Sequence, residues 1–449
     1  MRGADLVRII IAAAIFAPLV ALGQTHRLTL KDCVDVALGR SPDLRAADLE
    51  IRAASETVTA ARASLLPSLY GTATAQAISG QATNAFSLLN IVDVQDNGPN
   101  SKTSTRGLVG FGAVTLNYDL FKNGSIFGLN DAPVLGVAKA QKSLLVWTRA
   151  LDREQIIFIV ATSFLDVATR AERIRLDTRR VELCEQRLPY IQQQVERGLK
   201  LQTDVDFAKE QLASGQEMLR LSKAQNVAAQ LHLAGLIGVN PGTLVVSTKL
   251  PAAPALPATD KLVANALAKH PGVGVESAMI DERFNTYRLA RAQLYPRVTL
   301  SSSSLYGADL TASSDQHLYS GSLVVSVPIF DFGVLKANKR AAEDKYLAEK
   351  IRLQKVGDDI RRAILDAYGA LVVIQETAAL YERNAIRADT AFQVARSQSH
   401  QGLVPPLAAI DAELLLIDDQ EALNDQREKE LQQFATLQNA AGGTWAWIR

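Results

Sequence analysis

Residues 360–395 read IRRAILDAYGALVVIQETAALYERNAIRADTAFQVA. Ile360, Ile364, Ala367, Leu371, Ile374, Ala378, Tyr381, Ala385, Ala388, Phe392 and Ala395 are spaced by four and three residues without a break. That spacing is a heptad seam sustained over five heptads, the pattern of a helix packed along its whole length against another. Gly333 and Gly402 bracket this stretch. A continuous helix between them would be on the order of 100 Å long at 1.5 Å per residue. Small residues in the seam allow close helix approach. After Gly402 the chain turns, and a returning helix is predicted through Ile410, Leu414, Ile417, Leu423 and Leu431.

Working outward, the same plan occurs twice. Ala37-Leu-Gly-Arg-Ser-Pro42 recurs as Ala266-Leu-Ala-Lys-His-Pro271, and Ala61-Arg-Ala-Ser-Leu-Leu-Pro67 as Ala290-Arg-Ala-Gln-Leu-Tyr-Pro296, both at an offset of 229. Phe121 and Gly124 match Phe330 and Gly333 at 209, and Arg197-Gly-Leu199 matches Gln401-Gly-Leu403 at 204. The first copy of the seam then reads Ile156, Val160, Ser163, Val167, Arg170, Ile174, Asp177, Val181, Cys184, Leu188 and Ile191, interrupted by Arg170 and Asp177. Pro189 is expected to kink this helix or force a non-helical turn, and Pro405-Pro406 to end the incoming helix of the second copy. The first copy spans residues 24–250 and the second 251–449, joined by the Pro/Ala connector 250–257.

Between the first helices and the long helix of each copy the period changes to two. Tyr319, Gly321, Leu323, Val325, Val327 and Ile329 alternate with small and polar residues. In the first copy Leu108, Val114, Leu116, Tyr118 and Leu120 do the same. Each copy thus carries a strand pair, at about 67–120 and 296–330. A lone hairpin is not stable. The pattern fits either a lipid-facing barrel or a soluble hairpin packed on helices.

Arg2, Arg8, the apolar run Ile9–Leu22 and the small residues Ala21 and Gly23 predict an export signal over residues 1–23; the alternative is an N-terminal anchor. No second run of 18 apolar residues is expected, so any membrane passage is assigned to strands. With 48 basic and 47 acidic residues, no basic field exists to hold nucleic acid. Two cysteines, Cys33 and Cys184, are not a disulfide framework. The five histidines form no ligand spacing, and no nucleotide or hydrolase motif occurs. No catalytic residue, cofactor or metal is therefore expected.

The order of these features resembles the TolC-type outer-membrane efflux family. The residues that carry the resemblance are Leu28-Thr-Leu-Lys-Asp32, Ala37-Leu38, Pro42-Asp-Leu44, the Pro67 segment, Val327-Pro-Ile-Phe-Asp-Phe-Gly333, and the two tip glycines. The resemblance covers about Leu28 to Gly443. It implies a mainly α fold with a membrane β-barrel part. Three chains would pool four strands each into a twelve-stranded barrel, and the long helices would form a periplasmic α-barrel. It also implies a homotrimer in outer-membrane lipid, working passively with a periplasmic adaptor and an energised inner-membrane transporter. The contrasting reading is a periplasmic coiled-coil scaffold without a pore.

In that family the turns between long helices carry the periplasmic gate. Here the candidate tip residues are Gly198, Thr203 and Asp204 in the first copy and Gly402 and Asp411 in the second. Positions where relatives hold a basic lock, a tyrosine and an acidic residue are Val404, Ser399 and Ala408, so that latch does not carry over. Two readings of the acids stand side by side. Asp411 could ring the constriction three times and favour cations, or Asp204 and Asp411 could cap the return helices as first-turn carboxylates.

Overall fold

The structure, a computed structural model, describes residues 28–81, 104–128, 132–243, 246–247, 256–309 and 315–443. The export signal and residues 82–103, within the first strand pair, lie outside the described residues. The first copy runs α1 (Leu30–Arg40), α2 (Pro42–Ala63), β1 (Ser68–Gln81), β2 (Ser104–Lys122), a two-residue β3 (Ser125–Ile126), α3 (Pro133–Glu196) and α4 (Gln202–Ile237). The second runs α5 (Thr259–Lys269), α6 (Pro271–Ala292), β4 (Arg297–Asp309), β5 (Asp315–Ser326), α7 (Val334–His400) and α8 (Pro406–Ala440). Helices α1 and α5 are both 11 residues long, and α2 and α6 both 22. Thr29 opens α1 with a reciprocal cap: its hydroxyl accepts from the Asp32 amide at 3.3 Å and its own amide donates to Asp32 at 2.9 Å.

The long helices lie side by side in the order α4–α3–α8–α7. Every seam residue of α7 is buried or half-buried, with Ile364 and Leu371 fully enclosed. Helix α3 differs because it has a neighbour on each side. Besides its seam against α4, it buries Phe164, Leu165, Leu176 and Leu183; Leu176 and Leu183 pack on Ile410 and Ile417 of α8. Two corrections concern prolines. Helix α3 continues through Pro189 to Glu196, so of the kink or non-helical turn expected there the turn is ruled out. Helix α7 is ended by Gly402, not by the proline pair; Pro406 is the first residue of α8, where a missing N–H costs nothing.

The strands form one antiparallel sheet in the order β1–β2–β4–β5. Its register lines up Val325–Val298–Phe121, Leu323–Leu300–Tyr118, Gly321–Ser302–Leu116–Leu69 and Tyr319–Ser304–Val114–Gly71 on one face. Ser322–Ser301–Asn117–Ser68 and Ser320–Ser303–Thr115–Tyr70 lie on the other. One face is thus mainly apolar and the other mainly hydroxyl and amide. A bulge at Asp119/Phe121 shifts the first-copy pattern, so Phe121 rather than the expected Leu120 completes the apolar face.

A third correction concerns membrane length. Within α7 an 18-residue stretch has a mean hydropathy of 1.4 and is only 17% buried. Its exposed side chains include Leu365, Val372 and Val373, and Ile351, Leu380, Ile386 and Val394 extend the stripe along the helix. This apolar stripe lies at one edge of the helical layer.

Candidate functional site

Both tips are built by the same turn. Gly198 and Gly402 adopt left-handed φ values of 73° and 69°. The Gly198 amide donates to Val195 and the Leu199 amide to Gln194, each at 2.8 Å; Gly402 and Leu403 donate to Ser399 and Gln398 at 3.0 and 2.9 Å. These paired bonds close the last carbonyls of α3 and α7 and require a residue that tolerates positive φ. Leu199, Leu201 and Leu403 then stand 70–72% exposed at the turns.

Asp204 sits in the first turn of α4, and its carboxylate accepts the Leu201 amide at 2.9 Å. Thr203 beside it is exposed. In the second copy the residue equivalent to Leu201 is Pro405, which has no N–H to satisfy. Ala408 in place of the capping acid follows from that chemistry.

Asp411 does not cap α8, whose first turn contains no acidic residue. It lies further into the helix, 2.9 Å from Nε of Arg187 on α3. The two are placed as opposite charges rather than as an aligned hydrogen bond, since that Nε–H has no acceptor among the described residues. The Arg187 guanidinium also donates to Gln211 of α4.

The Arg187–Asp411 contact is one rung of a ladder that the sequence reading missed. Arg180 meets Asp418 and Glu421, each at 2.7 Å, and Arg173 meets Asp425 at 3.2 Å and Glu421 at 3.3 Å. Arg179 adds Glu413 at 2.7 Å. The signal was present: arginines recur at 173, 180 and 187, and aspartates at 411, 418 and 425, each every seven residues. Antiparallel helices bring those two series into register, one step down α3 for one step up α8. Burial raises the Glu421 carboxyl above its ordinary value, against the opposing pull of Arg180.

Asp177, which interrupts the first-copy seam, is 1% exposed and accepts a 2.6 Å bond from Ser222 of α4. Arg170 pairs with Asp166 at 2.6 Å and donates to Gln225 at 2.9 Å. The two interruptions are therefore polar contacts between α3 and α4, not gaps in the packing. Cys33 and Cys184 are both free and buried. Burial, helped by Asp32, pushes the Cys33 thiol up to about 12, so it behaves as a small apolar side chain. Among the described residues no group of three or more His, Cys, Asp or Glu converges on a metal position.

Known proteins share this architecture. The family model for outer membrane efflux proteins matches residues 33–239 and 262–443. The pyoverdine export outer membrane protein OpmQ of Pseudomonas aeruginosa is 24% identical over 419 residues, covering 91% of this chain and 84% of the relative. The solvent efflux pump outer membrane protein SrpC of Pseudomonas putida is also 24% identical, covering 92% and 85%. Among solved structures, the outer-membrane channel OprN aligns with a TM-score of 0.73 at 18% identity, covering 94% of this chain and 91% of the channel. VceC of Vibrio cholerae aligns with the same score at 19% identity, covering 92% and 96%. Together with the doubled helix–strand–long-helix plan, the match over most of its length shows that the chain belongs to the outer membrane efflux protein family.

Proposed function

We propose that three copies of this chain close into one continuous duct, a passive exit from the periplasm through the outer membrane. It would serve efflux or secretion, with a periplasmic adaptor at its tips and an inner-membrane transporter supplying the energy. The observation that carries this reading is that the single chain is unfinished at both edges. Among the described residues β1 and β5 have no outer partner along an antiparallel sheet with an apolar face, and lipid does not tolerate an open edge. The apolar stripe of α7 and the exposed Phe207, Met218 and Leu221 of α4 stand at the two edges of the helical layer. Threefold closure pairs β1 with β5 and α4 with α7 of neighbouring copies, and leaves the apolar sheet face to lipid. The exposed leucines of the tips offer the adaptor an apolar contact. No step of such transport calls on catalytic chemistry or a cofactor.

Purified protein in a planar lipid bilayer should give discrete single-channel conductance and sediment as a trimer. A monomer without conductance would overturn the duct. The tip acids are tested in the same assay. Gly198, Gly402, Thr203 and Asp204 shape the turns in this reading, and Asp411 is a brace to Arg187 rather than an unbalanced ring of charge. Asp411→Ala is therefore expected to leave cation-over-anion selectivity unchanged; a clear loss of selectivity would return Asp411 to the pore.

A further inference from the structure

Helix α6 crosses α7 through a pair of carboxyl groups that the duct does not use. Glu349 of α7 is 2% exposed. Its nearest cation is Arg352, one turn on, at 3.1 Å; the Arg352 side chain is itself 65% exposed. Glu276 of α6 comes within hydrogen-bonding reach of Glu349. Oε2 of Glu276 is shut off from solvent and has no donor near it among the described residues. At this level α3, the other helix against α6, presents the Trp147 indole, which packs on Gly274 so closely that a Cβ there would collide with the ring. The charged groups that act on Glu276 are thus Glu349 and, weakly, Arg352. The His270 imidazole, at the start of α6, is occupied as the helix cap, accepting from the Gly272 amide at 2.9 Å.

Two carboxylates in contact, one fully buried, cannot both stay ionised opposite a single exposed arginine. One proton resolves the conflict. A protonated Glu276 donates to Glu349, which fills the lone pairs of the buried carboxylate and leaves one net negative charge for Arg352. We propose that Glu276 holds a proton and donates it to Glu349, so that an acid–carboxylate hydrogen bond ties α6 to α7 and breaks when Glu276 loses that proton. Burial first, and then the charge of Glu349, push the Glu276 carboxyl upward, in keeping with that arrangement. The joint sits in the helical body between the sheet and the apolar cluster of α5, α7 and α8. It makes this upper body of the protomer firmer in acid than in alkali.

The sign follows from proton counting. A carboxyl whose folded value lies above its unfolded value holds its proton more tightly when folded. Its stabilisation is complete below the unfolded value of 4.5 and is lost as pH rises through the folded one. The test uses full-length trimer in detergent. Its thermal midpoint is followed from about pH 5 to about pH 9, a window chosen to span that loss. The wild type should lose several degrees more across this range than Glu276→Gln, whose amide keeps the donor at every pH. Glu349→Gln, which removes the repulsion, should flatten the profile as well and stands in if the first variant fails to assemble. The difference between wild type and variant removes the shared contribution of Glu421 and Glu428, whose carboxyls burial also raises. Infrared spectra of the same samples give an independent readout: a protonated-carboxyl C=O band present at neutral pH in the wild type and weaker in each variant. Equal slopes for wild type and both variants, or an infrared band unchanged by both substitutions, would overturn the acid–carboxylate hydrogen bond.

Discussion

A chain carrying Leu365→Asp and Val372→Asp is expected to fold as a helical protomer and fail to form a trimer. Both side chains lie on the outer stripe of α7, at 49% and 39% exposure, on the face turned away from the Ile364 and Leu371 seam. Their replacement leaves the protomer's own core intact. Burying a leucine or valine in an interface contributes about 1.5–3 kcal/mol. With two positions at each of three interfaces, the loss is on the order of 10 kcal/mol per trimer before the cost of burying carboxylates is counted. That exceeds what a few rim contacts restore. Chemical cross-linking and sedimentation should show monomers, circular dichroism should retain helical content, and bilayer conductance should vanish. Alanine at the same two positions should weaken assembly by degrees. A double-aspartate protein that still sediments as a trimer with normal conductance would remove α7 from the subunit interface.

The same helix shows why parts of the molecule were legible in the sequence and others were not. The α7 seam could be read because, beyond the upper part that packs on α5 and α6, this helix lies against α8 in its own chain, so a single heptad stripe accounts for its buried face there. Its second stripe, Leu365 to Val394, was passed over because it is exposed in the single chain and the closure proposed above is what would cover it. Helix α3 packs on α4 and α8 at once, so its buried residues no longer follow one stripe. Arg170 and Asp177 looked like damage to a seam and are polar contacts to a second helix. The strand alternation was visible, but a one-residue bulge after Asp119 exchanged Leu120 for Phe121. Periodicity contains no advance notice of such a shift. At the tips the glycines were readable because positive φ singles them out. The fate of the acids depended on their partners, Arg187 of another helix for Asp411 and the Leu201 N–H at the start of its own helix for Asp204.

The arginine–aspartate ladder should prove the most sensitive polar feature of the protomer, and Arg180 its most costly member. The Arg180 side chain is 19% exposed and lies 2.7 Å from both Asp418 and Glu421, the latter 12% exposed. In Arg180→Ala the Glu421 carboxylate stays enclosed and keeps only Arg173, at 3.3 Å. Breaking a buried pair from one side costs about 3–5 kcal/mol, because the remaining charge has lost both water and partner. Replacing both partners, Arg180→Met with Glu421→Leu, should recover most of that loss, since two apolar groups of similar size leave no orphan charge. By contrast Arg220→Ala removes an ion pair with Glu217 that is fully open to solvent, and its thermal midpoint should match the wild type.

The pH dependence separates this account from simple loss of packing. In the wild type burial lifts the Glu421 carboxyl and Arg180 holds it down. Without Arg180 it lifts further, so the folded variant takes up a proton at a higher pH than the unfolded chain does. Its stability deficit is then full in alkali and shrinks as pH falls through that raised value, where Glu421 becomes neutral and no longer needs a cation. Denaturation midpoints for wild type and Arg180→Ala, measured from about pH 9 down to about pH 5, should converge on the acid side. A constant gap across that range would mean that the arginine contributes through its hydrocarbon stem alone. Convergence would establish that the two repeats are held together, α3 to α8, by charge as well as by the leucine and isoleucine contacts beside it.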